Sequence, residues 1–171
     1  MTRIRRIATG HDGQGKAIIA SDEQIELLPQ SGVAGWSIVE VWGADETLAF
    51  PDSGAMPAFS GFFSPVGGFR CRHVAMAPHT VPNFEEPEHG ALDNAPPADI
   101  MGSDGMHRSE SVDMIYVIAG RCVLELDKGT QVTLNAGDTL VQSGTTHAWS
   151  NPFDEECRMV AVNVGAIQKP R

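Results

Sequence analysis

The sequence predicts an all-β domain of the barrel or sandwich type. Short apolar or alternating runs recur along the chain, and turn signals separate them at intervals of about 8–12 residues. No long amphipathic helical pattern and no internal repeat is visible in the sequence. At 171 residues the chain has the usual length of a single domain, 1–171, and can bury a core without disulfide or metal staples.

The strand signals are regular after residue 111 and more widely spaced before it. Two long segments carry no strand pattern. Residues 44–68 are dense in Gly, Pro, Ser and Phe and are typical of a loop. Residues 78–106 contain five prolines and six acidic residues, so we expect a long acidic loop, either a lid over the site or a mobile solvated insertion. The predicted strands are 4–8, 16–21, 36–42, 68–76, 112–119, 121–127, 131–134, 139–142, 146–150 and 157–164.

Composition and charge exclude several classes of partner. The formal net charge of −10 disfavours nucleic acid, because phosphate backbones repel such a surface. No apolar run approaches the roughly 20 residues that a membrane helix needs. The start of the chain is basic, but no apolar stretch of signal-peptide length follows, so we expect a cytoplasmic protein. The cysteines Cys71, Cys122 and Cys157 lie far apart and are expected to be reduced, buried thiols.

The segment 107–113 places polar side chains on one face of a predicted strand. Residues two apart in a strand point the same way, and every second residue here is polar: His107, Ser109, Ser111 and Asp113. In a second segment, 137–151, His147 and Trp149 share a face. A His and carboxylate cluster aimed into a barrel is a candidate functional site, since unpaired buried polar groups are costly.

These two segments resemble the two conserved motifs of the cupin superfamily, G-x5-H-x-H-x3,4-E-x6-G and G-x5-P-x-G-x2-H-x3-N. In the first motif, His107 falls on the first His and Asp113 on the Glu, and Gly120 follows at the expected spacing. Ser109 stands where the second His is expected, and Gly102 lies one residue too close.

In the second motif, Gly137, Gly144, His147 and Asn151 match. Gln142 stands at the Pro position, and its spacing from Gly137 is one residue short. Sixteen residues separate the motifs, as in compact microbial cupins. The local sequences H-R-S-E-S-V-D and G-T-T-H-A-W-S-N also resemble a group of small single-domain bacterial cupins.

The resemblance implies a double-stranded β-helix, the jelly-roll barrel of cupins, with its core motifs in residues 107–166. The N-terminal strands, within residues 1–45, have no place in the minimal barrel. We therefore expect them to extend one sheet or to pair across a homodimer, which would protect an exposed edge.

The resemblance also implies a divalent metal in the barrel, with His107, Asp113 and His147 as ligands. Two imidazoles and one carboxylate are the donor types of the facial triad that holds non-haem iron(II) and leaves positions open for oxygen or substrate. We expect iron(II) first, with manganese, nickel or zinc as alternatives. The leading reaction is dioxygenation, followed by metal-assisted isomerisation, dehydration or decarboxylation.

Two alternatives stay open. A metal-free isomerase or dehydratase would use His107 and Asp113 as an acid–base pair, since a carboxylate beside a histidine fixes its tautomer and raises its basicity. A non-enzymatic barrel that binds a small ligand is the other alternative. The sequence alone does not choose among these functions.

The expected ligand is a small organic molecule, either aromatic or a keto acid. Arg72 would clamp a carboxylate bidentately or would lie on the outer face of its strand. Ser109 and Gln142 would form hydrogen bonds in the pocket, and Trp149 would stack on an aromatic substrate or pack in the core. Tyr116 has the opposite strand parity to Asp113 and is expected outside the barrel.

Overall fold

A computed structural model describes residues 2–84 and 100–169 of the chain. The described residues form eleven strands and almost no helix, which confirms the all-β prediction. The strands are β1 Arg3–His11, β2 Ala17–Glu26, β3 Leu28–Pro29, β4 Trp36–Ala44, β5 Phe69–Met76, β6 Ser111–Ala119, β7 Arg121–Leu126, β8 Thr130–Asn135, β9 Thr139–Ser143, β10 His147–Ser150 and β11 Cys157–Gly165.

Two sheets face each other and enclose the core. The larger sheet has six strands in the order β3-β4-β5-β11-β6-β9, and the smaller has three in the order β10-β7-β8. Every pairing between these strands is antiparallel. Neighbours in the sheet come from distant parts of the chain, as in a jelly roll, so the predicted fold is confirmed.

Alternation along the strands decides which side chains fill the barrel. In β11, every second residue from Cys157 onward is buried, and in β6 the buried residues are those in register with Asp113. Tyr116 lies on the other face of β6 and is 50% exposed, as its parity predicted. Most of the buried apolar side chains among the described residues form one cluster: Val74, Met76, Ile115, Val117, Cys122, Leu124, Leu134, Trp149, Cys157, Met159 and Ala161.

Of the strands within residues 1–45, β3 and β4 extend one edge of the large sheet, whereas β1 and β2 form a separate hairpin. β1 and β2 pair only with each other among the described strands. Arg6 joins this hairpin to the barrel, because its Nη1 donates to the carbonyl of Val41 at 3.2 Å and its guanidinium lies over the ring of Trp42. Pairing of this hairpin with a second subunit stays a prediction.

The acidic segment 78–106 is described only at its two ends. Thr80 forms a bridge with Asn151 at one end, and Met101 forms a bridge with His107 at the other. Residues 85–99, and with them most of the predicted lid, lie outside the described residues. Across 2–84 and 100–169, no helical segment has the length and apolar character that crossing a membrane requires.

Candidate functional site

The register of the large sheet lines up four polar side chains across neighbouring strands. Arg70 of β5 pairs with Asn163 of β11, which pairs with Asp113 of β6, which pairs with Gln142 of β9. Paired residues point to the same face, so these four side chains form one row inside the barrel, hereafter the polar row. All four residues are buried. Asp113 and Gln142 therefore lie side by side although 29 positions separate them in the sequence.

Deeper rows of the same strands become apolar. The next row contains Arg72, Ala161, Ile115 and Leu140. The row after it contains Val74, Met159 and Val117. The barrel interior is thus polar at one end and hydrophobic at the other.

The two predicted histidines meet at the polar end. His107 and His147 form an antiparallel bridge, in which each backbone N–H donates to the other residue's carbonyl, at 2.9 and 2.8 Å. Their ring centroids lie 4.2 Å apart. We expected a continuous strand from 107 to 113, but β6 begins at Ser111. His107 pairs with β10 of the small sheet instead, so the chain crosses between the sheets at residues 108–110.

Both imidazoles are held in the same tautomer. Nδ1 of His107 lies 2.9 Å from the carbonyl oxygen of Gly105, and Nδ1 of His147 lies 2.8 Å from that of Thr145. A carbonyl oxygen only accepts, so each Nδ1 carries the proton and each Nε2 has a free lone pair. Burial lowers the pKa of both groups, and for His147, with the nearby His107 as a further cause, the pKa falls to about 4.

Gln142 is tied to His147 by one end of its amide only. Its Nε2 lies 2.9 Å from Nδ1 and 3.0 Å from Nε2 of His147. Nε2 of His147 is the acceptor, because Nδ1 carries the proton that is given to Thr145. The opposite end of the amide, Oε1, is buried and has no hydrogen-bond partner among residues 2–84 and 100–169. An unpaired acceptor here is costly unless a ligand or water satisfies it.

Asp113 is held by two serines. The hydroxyl of Ser111 donates to Oδ1 at 2.5 Å, and that of Ser109 lies 3.5 Å from Oδ2. Asp113 was expected to orient His107, but the carbonyl of Gly105 does so. The negative charge of Asp113 still acts on His107 through space and opposes the effect of burial on the His107 pKa.

Arg72 points into the barrel, yet its guanidinium is already engaged. Nε donates to Oε1 of Glu40 at 2.6 Å, Nη1 lies 3.5 Å from Oδ1 of Asn163, and Nη2 donates to the carbonyl of Phe62. The guanidinium carbon also lies 4.0 Å from the centre of the Phe62 ring. Contact of Arg72 with a substrate carboxylate stays a prediction.

A cavity opens between the sheets at this end and contains about 580 Å³ including its open mouth. One part of it, hereafter the chamber, is lined by the polar side chains of Arg72, Ser109, Asp113, Gln142, His147 and Asn163 and by the apolar side chains of Val74, Ile115, Met159 and Ala161. Its outer part, hereafter the vestibule, is lined by Val33, Trp36, Ile38, Phe62, Phe63, His107 and Trp149. Trp149 belongs to both the cavity wall and the hydrophobic core. All seven site residues predicted from sequence border this cavity.

The side chains at the polar end do not form the predicted three-ligand metal site. Within the parts of the chain that the structure describes, no group of three or more His, Cys, Asp or Glu side chains is arranged to hold a metal ion. The two imidazoles have suitable lone pairs, but the carboxylate of Asp113 is engaged by Ser111. The three-ligand set does not fit in this arrangement, so metal binding stays a prediction.

Three cavity neighbours escaped the sequence analysis. Glu40 and Asn163 share strand parity with apolar residues of β4 and β11, and a polar residue on an otherwise apolar strand face is the signal that marks them. Phe62 lies in a segment without periodicity, so no pattern could place it.

The chain is similar in sequence to one protein family and, over short segments, to curated fungal proteins. A family model described as the cupin domain matches residues 95–163. Phomopsin biosynthesis cluster protein C' of Diaporthe leptostromiformis is 46% identical over 50 residues, which cover 29% of this chain and 26% of that protein. Oryzines biosynthesis cluster protein J of Aspergillus oryzae is 44% identical over 46 residues, which cover 27% of this chain and 26% of that protein. The match thus spans about a quarter of the length of these curated relatives.

Among solved structures, a Cupin 2 conserved barrel domain protein from Salinispora arenicola is similar with a TM-score of 0.46 and 19% identity, covering 82% of each chain. The polyketide cyclase RemF from Streptomyces resistomycificus has a TM-score of 0.47 and 15% identity, covering 80% of this chain and 69% of that one. At these identities neither structure bears on the activity of this chain. The match of residues 95–163 contains both motifs, so this part of the chain is similar to the cupin domain in sequence as well as in fold.

Proposed function

We propose that this protein is an enzyme that moves protons on a small organic molecule, as an isomerase or a lyase. The observation that carries the proposal is the histidine pair at the cavity wall. Two buried imidazoles lie 4.2 Å apart, and each holds its Nδ1 proton on a backbone carbonyl. Each Nε2 is therefore a preformed proton acceptor.

His107 is the proposed base. Its Nε2 makes no hydrogen bond within residues 2–84 and 100–169, whereas Nε2 of His147 already accepts from Gln142. When Nε2 of His107 takes a proton from a substrate C–H, the negative charge of Asp113 stabilises the imidazolium.

The second imidazole makes the proton easy to return. Burial leaves both imidazoles neutral near neutral pH, and two adjacent imidazolium ions would repel each other, so the pair takes up one proton at most and releases it readily. Return of the proton to a different atom of the substrate completes an isomerisation. Transfer of the proton to a leaving group completes an elimination. Ser109 and Gln142 are proposed to bind the reacting group, and Trp149 to contact the body of the substrate.

Proton exchange tests this function without knowledge of the natural substrate. The probe is 1-hydroxy-3-phenylpropan-2-one, an uncharged aromatic ketone that carries a hydroxyl donor and whose benzylic C–H is weakly acidic. In D₂O the wild type should exchange these protons faster than free imidazole at equal concentration, as followed by proton NMR.

The matched variants are His107→Asn and His79→Asn. The first should slow the exchange about 100-fold, which is the usual contribution of a general base. The second changes an exposed histidine that pairs with Asp154 and should leave the rate unchanged. Equal rates for both variants, or a wild-type rate no faster than that of imidazole, would contradict the proposal. Saturable binding without exchange would identify a ligand-binding barrel instead.

A metal-dependent enzyme, with dioxygenation as its leading reaction, is the second candidate function. One observation favours it: backbone carbonyls hold both histidines by Nδ1, which is how metal-ligating histidines are usually oriented. The test is elemental analysis after incubation with iron(II), manganese(II), nickel(II) or zinc(II). On this hypothesis His147→Ala should abolish stoichiometric metal, and Ser109→His should preserve or tighten binding. A wild type that takes up none of these ions would remove this candidate.

A further inference from the structure

We infer that the chamber selects an uncharged ligand that carries a hydrogen-bond donor, and that it rejects a carboxylate. The inference deepens the proposed function, because it names the substrate class of the same site. It contrasts with the keto acid that Arg72 suggested in the sequence.

The only cation of the chamber among the described residues is already bound by a carboxylate and by two further protein acceptors. All three guanidinium nitrogens of Arg72 already have a protein acceptor, and Glu40 compensates the positive charge at 2.6 Å. The ring of Phe62 covers one face of the guanidinium. A ligand carboxylate would compete with Glu40 for this charge, so Arg72 is a weaker anion receptor than an unpaired arginine.

The remaining charge in the chamber repels an anion. Asp113 lines the cavity, and its hydrogen bonds come from the neutral hydroxyls of Ser109 and Ser111. Arg72 acts on Asp113 as well as on Glu40, so one cation faces two carboxylates and the three groups together carry a net charge of −1. A second carboxylate placed beside it in a buried site is strongly disfavoured.

The unpaired acceptor in the wall points to the group that would fit. Gln142 is 97% buried, since it is 3% exposed, and its Oε1 has no partner in the described chain. The orientation of this amide is fixed, because Nε2 must face the lone pair of His147. An N–H or O–H of a ligand would satisfy Oε1, whereas a carboxylate oxygen would face it with a like partial charge.

The vestibule fits the body of such a ligand. Trp36, Phe62, Phe63 and Trp149 present aromatic surface between the chamber and solvent. The inferred ligand therefore combines an aromatic or aliphatic ring with an uncharged donor head, such as a primary amide, an alcohol or a phenol.

A matched pair of probes tests the inference. Benzamide and benzoate have nearly the same shape and differ in charge and in hydrogen-bond donors. Titrations followed by the indole N–H signals of ¹⁵N-labelled protein should show saturable benzamide binding, with benzoate at least tenfold weaker. Trp36 and Trp149 should shift because they line the cavity, whereas Trp42, which lies beside Arg6, should not.

Two variants separate the causes. Gln142→Met removes the unpaired acceptor at similar size and should weaken benzamide about tenfold with little change for benzoate, the effect of one lost hydrogen bond. Asp113→Asn removes the repelling charge and should strengthen benzoate about tenfold. A gain of affinity cannot arise from misfolding. The Asp113→Asn result therefore decides the question even if Gln142→Met folds poorly.

Three results would overturn the inference: benzoate binding as tightly as benzamide, no saturable benzamide binding, or shifts confined to Trp42. Benzamide has no exchangeable C–H beside a carbonyl, so its binding does not depend on proton transfer. Binding selectivity without ketone exchange would therefore refute the proposed function and leave the inference standing. Exchange of the ketone protons without selectivity for benzamide over benzoate would refute the inference and leave the proposed function standing.

Discussion

The two ends of the barrel interior are built from the same strands and differ in chemistry. At one end, β5, β11, β6 and β9 contribute Arg70, Asn163, Asp113 and Gln142. At the other end, the same strands contribute apolar side chains: Val74, Met76, Met159, Val117 and Leu140. Strand alternation alone decides which residues face inward, so the chemistry of each end depends on the sequence at those positions.

The polar end lowers the stability of the fold through buried polar atoms that lack partners, and the apolar end does not. Among the described residues, three buried atoms without a hydrogen-bond partner lie at this end: Oε2 of Glu40, Nε of Arg70 and Oε1 of Gln142. Each such atom costs on the order of 1–3 kcal/mol of stability. The apolar end gains free energy by removing its surface from water. The comparison indicates that one end stabilises the fold and the other is kept for binding.

The largest expected effect is at the apolar end. Met76→Ala should lower the free energy of unfolding by about 3 kcal/mol, because Met76 is fully buried and its truncation leaves a cavity. The measurement is urea denaturation at neutral pH.

Met114→Ala is the matched control, since this methionine is 43% exposed on the outer face of β6. We expect it to cost about 0.5 kcal/mol or less. Benzamide affinity should be the same in both variants, because neither side chain lines the chamber. Equal destabilisation by the two substitutions would show that the division between the ends is wrong.

The next effect is a pH dependence that originates at the polar end. The pKa of His147 is about 4 in the folded chain, below its ordinary value of 6.5. Between these values the unfolded chain binds a proton that the folded chain does not. Stability is therefore fully present above about pH 6.5 and is lost as the pH falls toward 4, by up to about 3 kcal/mol.

Urea denaturation at pH 7 and pH 4.5 measures this loss. His147→Gln should lose about 2–3 kcal/mol less than the wild type over the same interval, because the buried titrating group is gone. His79→Asn should show the wild-type dependence, since its imidazole is exposed. Parallel pH dependences for the wild type and His147→Gln would mean that His147 does not oppose folding in acid.

The apolar end and the strand order of its residues could be predicted from sequence. Period-two alternation over residues 157–164 and turn signals around Gly120, Gly137 and Gly144 gave strands that match β6 to β11 within about two residues. All seven predicted site residues border one cavity: six lie in the two motifs that face it, and Arg72 faces it from β5.

Strand alternation could not predict which groups each polar side chain contacts. The bulge between Glu40 and Trp42 changes which residues of β4 face inward, and sequence does not mark its position. The pairing of His107 with His147 rather than with the large sheet depends on a chain crossing at residues 108–110. The engagement of Arg72 depends on Phe62, which lies in a segment without a pattern.

The smallest expected effect tests whether the polar end is kept for binding. Gln142→Met removes an unpaired buried acceptor, which should stabilise the fold, and also removes the hydrogen bond to His147, which should destabilise it. The two contributions are similar in size, so the free energy of unfolding should change by less than about 1 kcal/mol.

Thermal and urea denaturation with and without benzamide measure the stability of the ligand-free and the ligand-bound protein. The wild type should gain stability from saturating benzamide, and Gln142→Met should gain much less, because linkage follows affinity. A loss of about 3 kcal/mol in the ligand-free variant would show that Gln142 is a structural residue of the barrel, and the polar row would then stabilise the fold as the apolar end does.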